Sequence, residues 1–365
     1  MPVANSTLRV VSQGGHYSII TPADQWAVRV AQWSMESGSI FMRAKITTTT
    51  TAVRHCVVAG LSLVLLVTAL LAGACNRGGS TDKFVIGFSQ ANKAEPWRTW
   101  MDDSLMKEAA KHPELEVRYA DAQQDNSKQV ADVENFLRQR VDLLIISPNE
   151  AKPLTGVVKR VYEGGVPVIV LDRGIEGDSY TTFIGADNRE IGKAAGEYAA
   201  QLLGGKGSVV EIKGLPGSTP AVDRSAGFRE AVGRYPGIKI VADPVADWLR
   251  DKGREQAEAA LRANEKIDLV YGHNDPMAMG AYLAATAMNR AAGLKIIGID
   301  GLPGAEGGAK AVEDGKLNAT FLYPNCGKEA IETAVKILNK KSTPKKITLP
   351  TARVTKENAA QFVNP

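Results

Sequence analysis

From Phe84 onward the sequence repeats one unit, a short apolar run followed by a helical pattern. The ten runs are FVIGFS (84–89), EVRYAD (116–121), VDLLIISP (141–148), VPVIVLD (166–172), TTFIGAD (181–187), GSVVEIKG (207–214), IKIVADPV (238–245), IDLVYGHN (267–274), LKIIGIDG (294–301) and NATFLYP (318–324). Such alternation is typical of parallel sheets with helices on both faces. Because ten strands are about twice what one typical sheet holds, and the runs divide near Ala186, we predict an α/β fold. Its two doubly wound parallel-sheet lobes are joined by a hinge.

Polar side chains follow several of these strands. The run at 166–172 is aliphatic until Asp172, and Arg173 comes next. The carboxyl ends of parallel strands open onto the crevice where ligands bind in open α/β sheets. Asp172 and Arg173 are therefore candidate ligand contacts, although a surface ion pair that caps the strand is the alternative. The same position is held by Asn274, Asp275 and Asp300, while Trp97 and Arg98 follow the first strand.

These side chains suit a neutral polyol. Carboxylates and amides accept hydroxyl hydrogen bonds, and an Arg guanidinium donates two in fixed geometry. Trp97 and Trp248 offer apolar platforms for the C–H face of a sugar, with core packing as the alternative for each. The sequence after the first strand lacks the glycines of a nucleotide-binding loop. Because the four His residues are scattered, we predict neither a metal nor a cofactor.

The N-terminal part carries an export signal. The uncharged run Val57–Leu71 follows three basic residues and precedes small residues and Cys75, the pattern of a secretory signal peptide. The segment LAGAC resembles the lipobox of bacterial lipoproteins, so we predict a signal at 42–74, lipidation of Cys75 and a tether at 75–81. An uncleaved membrane anchor is the alternative. A segment that starts at Met42 fits the pattern of a signal peptide better than one that starts at Met1. Residues 1–41 are therefore interpreted as an upstream extension without a functional role.

The charge distribution and the cysteine content argue against nucleic-acid binding and against thiol chemistry. The formal net charge is +4, but the excess lies largely in residues 1–74, so we expect no nucleic-acid partner. With Cys56 in the signal and Cys75 lipidated, Cys326 stands alone. A single cysteine forms no internal disulfide, and no base is placed near it by the sequence. We therefore interpret Cys326 as a buried, idle thiol.

The motifs of residues 82–360 resemble the periplasmic sugar-binding proteins of ABC importers, in their ribose-binding-protein-like group. The motifs are GFSQ (87–90), WR (97–98), ADAQQDN (120–126), VIVLDR (168–173), GADN (185–188), AVDRSAGF (221–228), ADWLRDKG (246–253), YGHND (271–275), GIDGLP (298–303) and DGKLNAT (314–320). The resemblance implies a type I periplasmic binding protein without enzymatic activity.

The resemblance also implies a set of sugar contacts. They are Trp97, Arg98, Asp172, Arg173, Arg224, Trp248, Asn274, Asp300, Tyr323 and Asn325. Arg224 depends on the resemblance alone, since DRSAGFRE by itself reads as a solvated helix face. Ribose binders of the group carry two Phe where this chain has Trp97 and Arg98, and the Trp-Arg pair is similar to the galactofuranose-binding type.

The combined hypothesis is a lipid-anchored, extracytoplasmic or periplasmic monomer. It binds one monosaccharide (galactofuranose, galactose or a pentose) between an N-terminal lobe (82–186 with 324–350) and a C-terminal lobe (187–323 with 351–365). Hinge bending near Ala186, Tyr323 and the C-terminal segment closes the lobes, and the closed form docks on an ABC permease in the inner membrane.

Three alternatives come from other classes. A sugar-sensing module for a chemoreceptor or sensor kinase would look the same in sequence. A sugar-responsive repressor needs an N-terminal helix-turn-helix where this chain has its signal. A glycosidase needs a second carboxylate, and no motif ties one to Asp172.

Overall fold

The computed structural model describes residues 9–13, 16–20 and 83–364. Strands β1 (Arg9–Gln13) and β2 (His16–Ile20) pair as an antiparallel hairpin. The predicted signal at 42–74, with Cys56, and the tether at 75–81, with Cys75, lie outside the described residues. Within the described ranges, no helix combines the length and apolar character that a membrane crossing requires.

The residues from 83 onward alternate between strands and helices, as the sequence predicts. The further strands are β3 (Phe84–Gln90), β4 (Leu115–Asp121), β5 (Leu143–Ile146), β6 (Val168–Leu171), β7 (Thr182–Gly185), β8 (Lys206–Ile212), β9 (Gly237–Ala242), β10 (Leu269–Gly272), β11 (Lys295–Ile297), β12 (Thr320–Phe321), β13 (Lys346–Thr348) and β14 (Arg353–Val354). The helices are α1 (Pro96–Ala109), α2 (Asn126–Arg138), α3 (Ala151–Glu163), α4 (Asn188–Leu203), α5 (Thr219–Val232), α6 (Arg250–Ala263), α7 (Asp275–Ala287), α8 (Gly308–Glu313), α9 (Gly327–Leu338) and α10 (Ala360–Val363).

The first lobe is built on a parallel sheet of six strands in the order β13-β7-β6-β5-β3-β4. Its side chains alternate between two helical layers, as the two-residue period of a strand requires. Ile86 and Phe88 pack into the core that contains Met101 of α1 and residues of α9. Leu144 and Ile146 pack instead with residues of α2 and α3. Helices therefore cover both faces of the sheet, which is the doubly wound arrangement.

The second lobe repeats this plan on a smaller parallel sheet, β11-β10-β8-β9. Val209 shares a core with residues of α4 and α5. Its neighbour Val210 faces the opposite core, with α6 and α7. The short antiparallel pair β12-β14 continues the sheet beside β11, through a bridge between Ile297 and Ala319.

Between residues 83 and 364 the chain passes from one sheet to the other three times. It passes between β7 and α4, between β12 and α9, and between β13 and β14. These connections lie near Ala186, Tyr323 and residue 350, where the sequence places the hinge. The residue boundaries of the lobes stay a prediction.

Glycines let α4 and α5 of the second lobe approach each other closely. A Cβ added to Gly192 would lie 2.2 Å from the carbonyl oxygen of Arg224, and one added to Gly227 would lie 2.0 Å from that of Arg189. Real Cβ atoms do not approach backbone so closely, so any larger residue would push the helices apart. The position of Arg224 therefore depends on this contact.

We predict that Gly227→Ala lowers the free energy of unfolding by about 2 kcal/mol, because overpacking outweighs the better helix propensity of Ala. Urea denaturation measures the change. The matched control is Gly156→Ala in α3, where the added Cβ would meet only the Arg160 side chain, at 3.9 Å. That variant should gain up to about 1 kcal/mol, and equal stability of the two variants would contradict the prediction.

Candidate functional site: the cavity between the lobes

A small cavity lies between the lobes, beside the carboxyl ends of strands from both sheets. Nine of the ten predicted contacts line it. Its lining consists of Glu95, Trp97, Arg98, Asp172, Arg173, Pro220, Arg224, Trp248, Asn274, Asp300 and Tyr323. Residues distant in sequence thus meet at one place, as the topology of parallel strands predicts.

Asn325 is the predicted contact that the structure does not bring to this cavity. It lines a neighbouring cavity with Trp100 and Lys328. Its Oδ1 accepts a hydrogen bond of 3.1 Å from the Gly327 N–H at the start of α9. Asn325 therefore supports the beginning of a helix near the hinge.

The backbone is strained at three residues of the cavity. Asp172, Trp248 and Asp300 have φ angles of 60°, 73° and 132°, in the region that disfavours residues with a side chain. At Asp172 the Arg173 N–H donates to Leu171 O at 2.6 Å, which makes Asp172 the centre of a γ-turn with positive φ, a rare and strained form. Strain of this kind clusters at ligand sites, where the fold holds a side chain in an unfavourable direction.

Four buried charges of the first lobe form one network. Arg98 donates to Glu95 Oε1 at 3.1 Å and to Asp172 Oδ2 at 3.2 Å. Arg173 donates to the same Glu95 oxygen at 3.2 Å. Gln90 and the Asn149 carbonyl accept further hydrogen bonds from the two guanidinium groups. Every charge is paired and hydrogen-bonded, which burial demands.

This pairing sets the protonation of the network. Burial raises the pKa of Glu95, but Arg98 and Arg173 outweigh it, so the pKa lies below its ordinary value. Burial and the neighbouring Arg98 lower the pKa of Arg173 to about 10, against the opposing effect of Glu95 and Asp172. At neutral pH Glu95 is ionised and Arg173 is protonated.

In the second lobe, Arg224 is the counterpart of these arginines. It donates from Nε to Asn188 Oδ1 at 2.8 Å and from Nη1 to the His273 carbonyl at 2.6 Å. Asp300 lies nearby, with Oδ1 at 3.9 Å from Nη1 of Arg224. Burial and the carboxylate of Asp275 raise the pKa of Asp300 well above its ordinary value. The Asp300 carboxyl has no close hydrogen-bond partner among the described residues, so it is available to a ligand.

Aromatic rings enclose the rest of the cavity. Trp97 and Tyr323 meet edge to face, with ring centroids 5.3 Å apart, and the Trp97 Nε1–H donates to the Tyr323 carbonyl. Trp248 lies beside Arg224 of its own lobe and Arg173 of the other, at 5.5 Å and 5.6 Å from its ring centroid. Its Nε1–H is buried without a partner among the described residues. Both predicted Trp residues therefore line the cavity while packing against the core.

Asn274 has a supporting role that the sequence did not indicate. Its Oδ1 accepts from the Met277 N–H as the cap of α7, and its Nδ2 donates to the Trp248 carbonyl at 3.0 Å. One Nδ2 proton remains for a ligand. Asn274 thus holds the strained Trp248 in place as well as lining the cavity.

Glu95 and Pro220 line the cavity but were missing from the predicted contacts. Glu95 immediately precedes Pro96 at the start of α1, and Pro220 lies in the first turn of α5. An acidic residue just before a helix that begins with Pro is a recognisable helix-start signal. Glu95 lies five residues beyond β3, outside the strand ends at which ligand contacts are predicted.

Cys326 fits the interpretation as an idle thiol. It is buried, and its Sγ lies 3.3 Å from the Pro324 carbonyl as a hydrogen-bond donor. Burial raises the pKa of the thiol well above its ordinary value, with Asp172 adding to the effect. A protonated thiol is a poor nucleophile.

We predict that Glu95→Gln lowers the free energy of unfolding by about 3 kcal/mol, since removing one partner leaves the two buried guanidinium groups without their shared carboxylate. Chemical denaturation of the ligand-free protein gives the value. The control is Glu163→Gln, which removes a solvent-exposed carboxylate 3.7 Å from Lys159 and should cost less than about 1 kcal/mol. Similar losses in both variants would show that the network does not stabilise the fold.

Comparison with known proteins agrees with this geometry. Residues 86–342 match the family model described as periplasmic binding protein domain. The ribose import binding protein of Bacillus subtilis is 32% identical over 302 residues, covering 80% of this chain and 96% of the relative. The galactofuranose-binding protein of Escherichia coli is 32% identical over 295 residues, covering 78% of this chain and 92% of the relative.

A solved structure is also similar. It is the fructose-binding periplasmic domain of a hybrid two-component system, with 44% identity and a TM-score of 0.75, covering 76% of this chain and 93% of that chain. The relatives are sugar-binding proteins rather than enzymes. The chain belongs to the periplasmic binding protein family, as a sugar-binding protein of the ribose-binding group.

Proposed function

We propose that the chain binds one neutral monosaccharide in the cavity between its lobes and delivers it to an ABC importer. The observation that carries the proposal is the mixture of hydrogen-bond donors and acceptors that line the cavity. Three arginines (Arg98, Arg173 and Arg224) face three carboxyl groups (Glu95, Asp172 and Asp300). The guanidinium groups only donate hydrogen bonds and the carboxyl oxygens accept them, and the hydroxyls of a neutral sugar satisfy both.

The arrangement suits hydroxyl groups in particular. Each sugar hydroxyl donates one hydrogen bond and accepts others, so neighbouring hydroxyls can donate to a carboxylate and accept from a guanidinium. Glu95 Oε1 accepts from both Arg98 and Arg173, which leaves Oε2 for a ligand. The rings of Trp97 and Trp248 supply the apolar surface that the C–H groups of a sugar require.

Ligand binding would favour closure because both lobes supply contacts. Glu95, Arg98 and Arg173 belong to the first lobe, while Arg224 and Asp300 belong to the second. A ligand shifts a conformational equilibrium only by its differential affinity for the two states. A sugar held from both sides gains its full set of contacts only when the lobes have closed.

The relatives narrow the range of sugars. The relatives bind ribose, galactofuranose and fructose. We therefore add fructose to galactofuranose, galactose and the pentoses as candidates.

Attachment through Cys75 to a membrane and docking on a permease complete the proposal. The import proteins among the relatives support the transport role. The 44% identity to a domain of a two-component system supports the second candidate function, a sugar-sensing module for a receptor or kinase. A permease gene next to the gene of this protein would favour transport, and a kinase gene at that position would favour sensing.

Calorimetry of the full-length chain against ribose, arabinose, galactose, galactofuranose and fructose tests the function. A ligand of the folded state also raises the melting temperature, so a thermal-shift screen provides a second readout. A clear heat of binding and a clear rise in melting temperature with one of these sugars would establish sugar binding. No response to any of these sugars would contradict the proposal.

Arg173→Ala should lower the affinity for that sugar by more than about 100-fold, since a buried charge-assisted contact and its partner Glu95 are both disrupted. The control is Arg160→Ala, which removes a solvent-exposed guanidinium paired with Glu134 at 2.8 Å. Calorimetry should find the affinity of the control unchanged, and circular dichroism should find both variants folded. Unchanged affinity in Arg173→Ala would exclude the proposed site.

Cys75→Ala should release the protein from the membrane fraction after cell lysis. The thiol of Cys75 is the proposed attachment point, and acyl chains supply the affinity for the bilayer. Metabolic labelling with a radioactive fatty acid measures the lipid directly, with Cys326→Ala as the control that keeps its label. Labelling that survives Cys75→Ala would refute the anchor.

A further inference from the structure

The two lobes also contact each other away from the cavity lining, at the start of α3 and the start of α5. The Ala151 N–H donates to the Gly217 carbonyl at 2.9 Å. The Gly174 N–H donates to Thr219 Oγ1 at 2.8 Å. Neither pair lines the cavity. Since each pair joins one residue of the first lobe to one of the second, both hydrogen bonds exist only while the lobes are closed.

Gly217 fits tightly against the first lobe. A Cβ added to it would lie 1.9 Å from Oε2 of Glu150. The Glu150 side chain is fixed by Asn126, whose Nδ2 donates to its other oxygen at 2.7 Å. A residue with a Cβ at position 217 would therefore have to displace the Glu150 side chain.

These contacts adjoin the cavity lining in sequence. Gly174 follows Arg173, and Thr219 precedes Pro220, while Arg173 and Pro220 both line the cavity. The Asn149 carbonyl, two residues before Ala151, accepts a hydrogen bond from Arg173 at 3.0 Å. A ligand that draws Arg173 and Pro220 together would therefore bring these contacts together as well.

We propose that Glu150, Ala151 and Gly174 of the first lobe and Gly217 and Thr219 of the second form a closure latch, which sets sugar affinity without touching the sugar. The proposal rests on sugar binding by lobe closure. Affinity for a ligand that needs the closed state scales with the population of that state. Weakening the latch lowers that population, so the sugar dissociation constant rises although every sugar contact is retained.

Thr219→Val removes the hydroxyl and keeps the side-chain volume. We expect the sugar dissociation constant to rise roughly three- to tenfold, the equivalent of one hydrogen bond. The matched control is Thr181→Val, since Thr181 Oγ1 also accepts a backbone N–H, from Val168 at 3.0 Å, but within one lobe. Calorimetry should find less than about a twofold change in that control. Equal changes in both variants would overturn the latch.

A compensating pair tests the contact at Gly217. Gly217→Ala should raise the dissociation constant roughly tenfold or more by opposing closure. Adding Glu150→Ala removes the obstructing side chain and should restore much of the affinity. Gly156→Ala on the exposed side of α3 should leave the affinity unchanged. A loss in Gly217→Ala that Glu150→Ala does not restore would show that the residue acts only on its own loop.

Hydrogen exchange separates failure of the latch from failure of the sugar proposal. The Ala151 and Gly174 amides are latch donors, so their exchange in the sugar-free full-length chain reports closure without any ligand. Thr219→Val should exchange faster than wild type at Gly174, and Thr181→Val should not. Identical exchange at Gly174 in wild type and Thr219→Val would overturn the latch, whichever sugar binds.

Discussion

The structure depends on burying four charges of the first lobe as one hydrogen-bonded unit. Glu95 bridges Arg98 and Arg173, and Arg98 reaches Asp172. Isolated ions could not occupy this site, because the loss of hydration would far exceed any gain. The pairing holds the side chains in fixed directions before a ligand arrives, which reduces the ordering that binding would otherwise require. The doubly wound sheet supplies the frame, since its strand ends bring these residues together.

Much of the fold could be predicted from the sequence. Short aliphatic runs separated by helical patterns are local signals, and the structure confirms the α/β class and the parallel sheets. The polar residues at strand ends, such as Asp172 and Asp300, were found because the topology of parallel strands dictates where such ends meet. Arg224 lies on a helix with no local signal of its own, and only the family resemblance singled it out.

Other features depend on contacts that no local pattern encodes. The role of Glu95 follows from two arginines that lie 3 and 78 residues further along the chain. The resemblance predicts Asn325 as a ligand contact, but its side chain instead accepts a hydrogen bond at the start of α9. The positive φ of Trp248 likewise arises from tertiary packing, which holds its ring against Gly214.

The γ-turn at Asp172 limits how the lining of the proposed site can change. A β-branched or bulky residue at that φ would cost stability, so position 172 admits few side chains beyond Asp, Asn and Gly. Glu95 precedes its helix with an ordinary extended φ of −95°, and Trp97 lies within α1. In the proposed sugar site, new side chains are therefore most accessible in the first turn of α1, while the strained turn preserves the carboxylate of Asp172.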